Sequence, residues 1–306
     1  MKNSETTAGK AYIITGPTSG IGYETALELA KHGTVILVGR NLEKLKELQK
    51  TIQAKGQSAV PVVCDMSDMT SVKHAAQQIT ALNLPIVGLL NNAGIMPQKA
   101  TKSAQGWDMT FATNHLGLFL FTEALAPHLP DGARVVNIAS AIEDPERKPA
   151  KIMGMKGGRY ISAEASARGE WKAGGAKLAG IDAYATSKQC VLAATMALSR
   201  ENKRLRFIAV EPGINPGTGL GASDTPAIVR AIFGFILKYL PPFSRYNSTP
   251  KKSAQVITKI ITDEAGKTGI YYDEKGQPML GSDTARDFKF QERVVAETRA
   301  LLAKYN

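Results

Sequence analysis

The chain contains 306 residues, of which 43% are hydrophobic and 21% are charged. This composition is typical of a folded globular protein and excludes disordered, collagen-like and coiled-coil chains. The formal net charge of +11 favours anionic ligands but does not distinguish phosphorylated small molecules from nucleic acid or lipid. The two cysteines lack metal-ligand spacing to histidine, so we predict no disulfide framework and no metal site. No secretory signal is readable, which predicts a cytoplasmic protein.

Strand-like and helix-like segments alternate along the chain. Strands are predicted at 11–15, 34–38, 59–64, 86–90, 133–138, 206–210 and 269–272. Helices are predicted at 20–31, 41–54, 68–81, 106–127, 183–201, 226–239, 250–264 and 285–303. This alternation is typical of βαβ units, and the strands lack polar alternation, as expected when helices cover both faces of a sheet. We therefore predict a single domain over 1–306, an α/β fold with a doubly wound, Rossmann-type parallel sheet of about seven strands.

A glycine-rich turn follows the first strand and leads directly into the first helix. Its glycines permit a tight turn and close approach of the backbone to a pyrophosphate, which then lies at the positive end of the helix. An ordinary strand-to-helix turn is the alternative for this motif taken alone. The candidate cofactor-binding residues of the turn are Gly16, Thr18, Ser19, Gly20, Ile21 and Gly22.

The ends of the second and third strands carry further cofactor candidates. Arg40 stands where an NAD-selective site would place an acidic residue on the ribose hydroxyls. A cation there can pair with a 2′-phosphate, which favours NADP(H); the alternative is a solvated charge at a helix start. Asp65, followed by Met66, is placed either to accept a hydrogen bond from the adenine amino group or to cap the next helix.

Motifs spread along the chain resemble the short-chain dehydrogenase/reductase family. They are the Thr15–Gly22 turn, Asn91-Asn92-Ala93-Gly94, Asn114 within Thr113–Gly117, Ser140, Tyr184-Ala185-Thr186-Ser187-Lys188 and Pro212-Gly213. The resemblance covers residues from about 11 to 218. It implies that Asn91, Asn92, Ala93 and Gly94 form a wall on the adenine-ribose side of the cofactor. It also implies cofactor contacts from Pro212 and Gly213, whereas Thr218 stands one position later than the usual nicotinamide-contacting threonine.

Asn114, Ser140, Tyr184 and Lys188 form the predicted catalytic set. On a helix, Tyr184 and Lys188 project from one face, so the ammonium can lower the pKa of the phenol toward neutrality and make Tyr184 a general acid. Ser140 ends a central strand and can hydrogen-bond the substrate oxygen. The resemblance implies that Asn114 holds a water that relays protons through Lys188, and that Tyr184 and Lys188 also contact the nicotinamide end of the cofactor.

Two segments depart from the usual family pattern. A basic insertion over 143–180 separates Ser140 from Tyr184, which is similar to a subgroup containing the protochlorophyllide reductases and the retinol dehydrogenases. The region 214–249 is the predicted substrate lid. Within it, the apolar stretch 227–240 is too short to cross a bilayer and is interpreted as a lid helix or as a peripheral membrane helix. Both interpretations predict a nonpolar or bulky substrate.

The sequence thus predicts an NADP(H)-dependent oxidoreductase that reduces a carbonyl, or oxidises the corresponding alcohol, by hydride transfer with Tyr184 as general acid. Reduction of a conjugated carbon–carbon double bond is the alternative within enzymes, and a non-catalytic NADP(H)-sensing protein is the alternative outside them. We expect no nucleic-acid partner, because the basic insertion contains few aromatic residues and no nucleic-acid module. By analogy with relatives, the helices 106–127 and 183–201 are a candidate homodimer seam.

Overall fold

A single sheet organises the part of the chain that the computed structural model describes, which is residues 9–177, 180–215, 241 and 243–305. Strands β1 to β8 span Ala11–Thr15, Thr34–Gly39, Ala59–Val63, Ile86–Asn91, Arg134–Ile138, Arg206–Val210, Ile270–Tyr272 and Pro278–Met279. Their order is β3-β2-β1-β4-β5-β6-β7-β8. Strands β1 to β7 pair in parallel, and β8 pairs antiparallel with β7. The predicted doubly wound parallel sheet is confirmed; the two-residue β8 is additional, because so short a strand leaves no apolar run in the sequence.

Helices lie between the strands and in the long connections. Helices α1 to α11 span Gly20–Leu29, Leu42–Gln53, Met69–Ala81, Met109–Phe111, Leu118–Leu125, Lys148–Ile152, Ala163–Arg168, Ile181–Glu201, Pro250–Thr262, Asp283–Arg286 and Phe288–Leu302. A π-helical segment, Ala112–Gly117, joins α4 to α5, so the helix predicted at 106–127 is irregular in its middle. The predicted lid helix at 226–239, most of the lid region and Thr218 lie outside the described residues.

Two apolar layers cover the sheet, one on each face. Along β1, Ala11 and Ile13 belong to the core that contains residues of α3, α5, α8 and α11. Tyr12 and Ile14 belong to the core that contains residues of α1, α2 and α9. Because successive side chains of a strand point to opposite faces, a strand covered on both sides needs an unbroken apolar run.

The insertion predicted at 143–180 packs against the body of the protein. It contains the short helices α6 and α7. The Tyr160 hydroxyl donates to Oε2 of Glu297 in α11 at 2.6 Å, and the Trp171 ring lies 6.3 Å from that of Phe111. Part of its positive charge is neutralised locally, since Arg168 forms ion pairs with acidic neighbours. The alanine- and glycine-rich sequence gave no clear element here because the helices are only one to two turns long.

The C-terminal helix α11 lies across α8 and the segment that runs from the π helix into α5. His115 hydrogen-bonds Thr298 through Nε2 at 2.9 Å, and Arg299 pairs with Glu123 at 3.0 Å and Glu201 at 2.8 Å. Helix α11 therefore packs within the chain against α5 and α8, which belong to the candidate homodimer seam. Within the described ranges, no helix combines the length and apolar character needed to cross a membrane.

Candidate active site

The glycine turn between β1 and α1 lies beside β4, at the point where the strand order reverses direction. Gly16 and Gly20 have positive φ angles of 67° and 54°. A Cβ on Gly22 would collide with the carbonyl oxygen of Gly16 and lie 2.5 Å from Nδ2 of Asn92. Ser19, the N-cap residue of α1, makes no capping hydrogen bond, and no acidic residue stands in the first turn. The positive end of α1 is therefore free to bind an anion.

Hydrogen bonds of Asn92 and Thr15 join the turn after β4 to the glycine turn. Nδ2 of Asn92 donates to the carbonyl oxygens of Thr15 at 2.9 Å and Gly16 at 3.2 Å. The Thr15 hydroxyl oxygen accepts hydrogen bonds from the backbone N–H groups of Asn92 and Ala93. Thr15 was not among the predicted site residues; a hydroxyl at the end of an otherwise apolar strand is the signal that could have identified it.

The Asn91 side chain takes part in a buried hydrogen-bond network. Its Nδ2 donates to the Thr122 hydroxyl and to Oδ1 of Asn137, both at 2.8 Å, and Asn137 in turn donates to Thr195. This buried network connects β4 and β5 to the helices behind them. The Asn91 side chain therefore supports the sheet, and a cofactor contact of Asn91 through its backbone stays a prediction.

Asn114 lies in the π-helical segment and is fully buried. Its side-chain amide pairs with the backbone of Ile95, accepting the N–H at 2.8 Å and donating to the carbonyl at 2.9 Å. It also donates to the Ser187 hydroxyl at 3.1 Å. A Cβ on Gly94 would lie 3.5 Å from Oδ1 of Asn114 and 3.6 Å from Nζ of Lys188. The missing side chain of Gly94 thus leaves a space bordered by two predicted catalytic residues.

Tyr184 and Lys188 occupy the first half of α8 and are 8% and 2% exposed. Burial raises the pKa of the Tyr184 phenol, as does the charge of Glu211, whereas hydrogen bonding with Ser140 lowers it. Burial lowers the pKa of Lys188 to about 8. Nζ of Lys188 lies 5.7 Å from the centre of the Tyr184 ring and donates to the Ile138 carbonyl at 2.7 Å. The structure thus brings the catalytic candidates together. It corrects the predicted effect of Lys188 on the phenol pKa, because Lys188 donates to a backbone carbonyl and burial, which raises the Tyr184 pKa, is the largest effect.

Arg40 and Asp65 end neighbouring strands at the same edge of the sheet. Arg40 is exposed directly after β2, whose residue Val38 accepts the N–H of Gly16 at 2.9 Å. Asp65 accepts the N–H and the hydroxyl of Ser67 through Oδ1, whereas Asp68 caps α3. Asp65 therefore does not cap α3. Its hydrogen bond to the adenine amino group stays a prediction. Met66 is buried and its carbonyl lies against Gly117.

Glu211 precedes Pro212 and Gly213 and was missed by the sequence analysis. It is 6% exposed at the end of β6, where Oε1 accepts the N–H of Gly213 at 2.9 Å and Oε2 accepts that of Ala141. Gly213 has a positive φ of 78°, and a Cβ there would contact Tyr246 and other neighbours. A carboxylate directly after an apolar strand was the available signal. Among the described residues, no cluster of His, Cys, Asp or Glu could hold a metal ion.

Comparison with known proteins identifies this arrangement. The family model described as short chain dehydrogenase matches residues 10–148, and human retinol dehydrogenase 13 aligns with 97% of the chain and 86% of its own length at 27% identity. Over residues 10–148, which are less than half of its length, the chain resembles the short-chain dehydrogenase/reductase family. Human retinol dehydrogenase 11 is 39% identical over 137 residues, which cover 43% of each chain. The chain thus spans less than half the length of this relative.

Solved structures share the fold of this chain. A protein from Mycobacterium Paratuberculosis aligns with a TM-score of 0.68 and 26% identity, covering 97% of this chain and 94% of its own. A blue fluorescent protein from a metagenomic library, solved in complex with NADPH, aligns with a TM-score of 0.65 and 23% identity, covering 88% and 97%. The comparisons confirm the predicted resemblance to the short-chain dehydrogenases and to their retinol dehydrogenase-like members.

Proposed function

We propose that this chain is a short-chain dehydrogenase/reductase, an NADP(H)-dependent oxidoreductase that interconverts a carbonyl group and an alcohol on a nonpolar or bulky small molecule. One observation carries the proposal: buried Tyr184 lies between Ser140 and Lys188 at the edge of the sheet where the glycine turn and Gly94 leave space for a dinucleotide. A protein that only bound the cofactor would not need a buried phenol and a buried ammonium there, because burying each costs free energy.

The chain's own residues fit a phosphorylated dinucleotide. The N-terminus of α1 lacks a capping side chain, the glycines leave no Cβ in the way, and Arg40 offers an exposed cation at the end of β2. A cation at this position favours a 2′-phosphate, which supports NADP(H) over NAD(H). When bound, the nicotinamide supplies or accepts the hydride.

Tyr184 and the side chains around it position the substrate and transfer protons. Tyr184 is held protonated by burial, so it can donate a proton to the oxygen of a carbonyl substrate. Ser140 hydrogen-bonds the same oxygen and positions it. Lys188, with a pKa of about 8, can be charged or neutral near physiological pH and can return a proton to the phenol. Asn114 shapes the space beside Lys188 that Gly94 leaves open.

The nonpolar substrate class is supported by the name of one relative and by one sequence feature. Human retinol dehydrogenase 11 is named for an apolar alcohol. The chain's own apolar stretch at 227–240 follows β6 in the predicted lid region. In a fold of this kind, the segments after the carboxyl ends of the strands form the substrate site.

The direct test is NADPH oxidation by the purified protein with a panel of nonpolar aldehydes, ketones and enones, with identification of each product. The proposal predicts alcohols as products and faster turnover with NADPH than with NADH. Saturated carbonyl products would establish reduction of a double bond instead. Tight NADPH binding without turnover on any member of the panel would favour a cofactor-sensing protein and contradict the proposal.

A further inference from the structure

Glu143 ends the short 3-10 turn that begins at Ser140, the catalytic candidate at the end of β5. The residue is fully buried. Its N–H donates to the carbonyl oxygen of Ser140 at 3.2 Å, and its own carbonyl oxygen accepts the N–H of Gly158 at 3.2 Å. The backbone of Glu143 therefore joins the Ser140 turn to the insertion that follows it.

The carboxyl group of Glu143 bonds a distant residue through both of its oxygens. The N–H of Ser282 donates to Oε1 at 2.8 Å, and the Ser282 hydroxyl bonds Oε2 at 2.5 Å. The two residues are 139 positions apart in the chain, so no local turn requires the contact. Glu143 thus connects the Ser140 turn to the C-terminal part of the chain.

The segment that contains Ser282 packs against helix α8. Ser282 caps α10, where its hydroxyl accepts the N–H of Ala285 at 3.2 Å. A Cβ on Gly281 would lie 2.5 Å from Cδ2 of Leu192 in α8 and 3.0 Å from Oε1 of Glu143. The backbone at Gly281 therefore fits closely between α8 and the carboxyl group, which fixes the partner of Glu143 against the helix that carries the catalytic tyrosine and lysine.

The contact between Glu143 and Ser282 does not depend on the charge of the carboxyl group. Burial raises the pKa of Glu143 to about 7, so both protonation states occur near neutral pH. Oε1 can accept the Ser282 N–H in either state. The Ser282 hydroxyl can donate to an ionised Oε2 or accept from a protonated one, because a hydroxyl group is both a donor and an acceptor. The contact therefore needs the length of the side chain and not its charge.

We propose that Glu143 is a positioning residue: by joining the Ser140 turn to the segment that packs on α8, it fixes the Ser140 hydroxyl relative to the Tyr184 phenol. The inference rests on the proposed function, in which these two groups contact the same substrate oxygen. A displaced Ser140 would lose part of its hydrogen bond to the reacting oxygen while the rest of the substrate binds as before. The effect therefore falls on kcat more than on KM.

Two substitutions of Glu143 separate side-chain length from charge. Glu143→Gln keeps the length, so its Oε1 can accept the Ser282 N–H and its Nε2 can donate to the Ser282 hydroxyl. Glu143→Asp keeps the carboxyl group but is one methylene shorter, so it cannot reach both groups of Ser282. We expect kcat for carbonyl reduction to stay within about threefold of the wild type in Glu143→Gln and to fall by about tenfold in Glu143→Asp. The opposite ranking would overturn the proposal.

Amide hydrogen exchange of the cofactor-free protein tests the connection without a substrate. We expect exchange in peptides that cover 139–144 and 281–286 to be about tenfold faster in Glu143→Asp and unchanged in Glu143→Gln. Glu297→Asp is the matched control, because Glu297 also accepts a hydroxyl and a backbone N–H, those of Tyr160 and Ala163. It should leave exchange at 139–144 unchanged. Wild-type exchange at 139–144 in Glu143→Asp would overturn the proposal.

A double-mutant cycle with Ser140→Ala tests whether Glu143 acts through the serine hydroxyl. Glu143→Asp should lower kcat by about tenfold in the wild type, with a small change in KM, but by about twofold or less in the Ser140→Ala background, where the hydroxyl is absent. An equal loss of kcat in both backgrounds would indicate a merely structural role and overturn the proposal. If the wild type reduces no carbonyl, the proposed function fails, whereas hydrogen exchange still decides whether Glu143 fixes the Ser140 turn.

Discussion

The ammonium of Lys188 donates to the carbonyl oxygen of Ile138 at 2.7 Å, at the end of β5 and two residues before Ser140. This contact ties the catalytic helix α8 to the strand that delivers the serine. It also places a cation in a position that is 2% exposed, and burial lowers its pKa to about 8. The same arrangement that positions the lysine for chemistry should therefore reduce the stability of the fold.

Lys188→Met tests this cost through the pH dependence of stability. Between about pH 8 and the ordinary lysine pKa near 10.4, folded Lys188 loses its proton while the unfolded chain retains it, so wild-type stability rises with pH through this window. The stability of Lys188→Met relative to the wild type should therefore be greatest near pH 6 and should fall by up to about 3 kcal/mol by pH 10. Urea unfolding at both pH values measures this, with exposed Lys46→Met as control. A difference that does not change with pH would contradict it.

Gly94→Ala should weaken cofactor binding without weakening the fold. A Cβ at Gly94 makes only ordinary contacts, 3.5 Å from Asn114 and 3.6 Å from Lys188, but it enters the space in which we propose that the cofactor binds. Gly22→Ala is the contrasting variant, since its Cβ would collide with Gly16 and should lower the melting temperature. Fluorescence titration with NADPH and thermal unfolding distinguish the two. Equal NADPH affinity in Gly94→Ala and the wild type would exclude this route for the cofactor.

Arg40→Ala should change cofactor preference. Loss of a charge-assisted bond to the 2′-phosphate costs about 1.5–3 kcal/mol, so Kd for NADPH should rise by about 10- to 100-fold while Kd for NADH stays nearly constant. Lys44→Ala, an exposed cation in the first turn of α2, is the control. If Arg40→Ala weakens the binding of NADPH and of NADH equally, Arg40 does not contact the 2′-phosphate.

The position of α11 against α5 and α8 predicts a monomer. His115 is buried and neutral, since burial lowers its pKa to about 3, and it bonds Thr298 in α11. Arg299 adds ion pairs to α5 and α8. Sedimentation at micromolar concentration should show a single 32.8 kDa species. A dimer that cross-links between positions on α8 would show that α11 leaves this face.

Much of the fold could be predicted from the sequence because its elements carry local signals. The unbroken apolar run of β1, the glycine turn and the amphipathic helices each determine one element without reference to distant residues. The insertion helices and β8 were not predicted, because they are held by contacts far along the chain, such as Tyr160 with Glu297, and not by a period of their own.

For the site, the identities were predicted better than the interactions. The spacing of Tyr184 and Lys188 placed them on one helix face, but only the folded structure shows Lys188 bonded to Ile138. The direction of the Asn91 side chain and the hydrogen bond between Glu211 and Ala141 depend on which strands are neighbours, which the chain order alone does not reveal.

The most direct test of the account is kcat for NADPH-dependent carbonyl reduction by Tyr184→Phe, compared with the wild type at equal saturation. This change removes one hydroxyl and preserves the buried ring. The account predicts that kcat falls by about 10²- to 10⁴-fold while Kd for NADPH and the melting temperature remain close to those of the wild type. Turnover by Tyr184→Phe within a few-fold of the wild type would show that another group supplies the proton and would contradict the account.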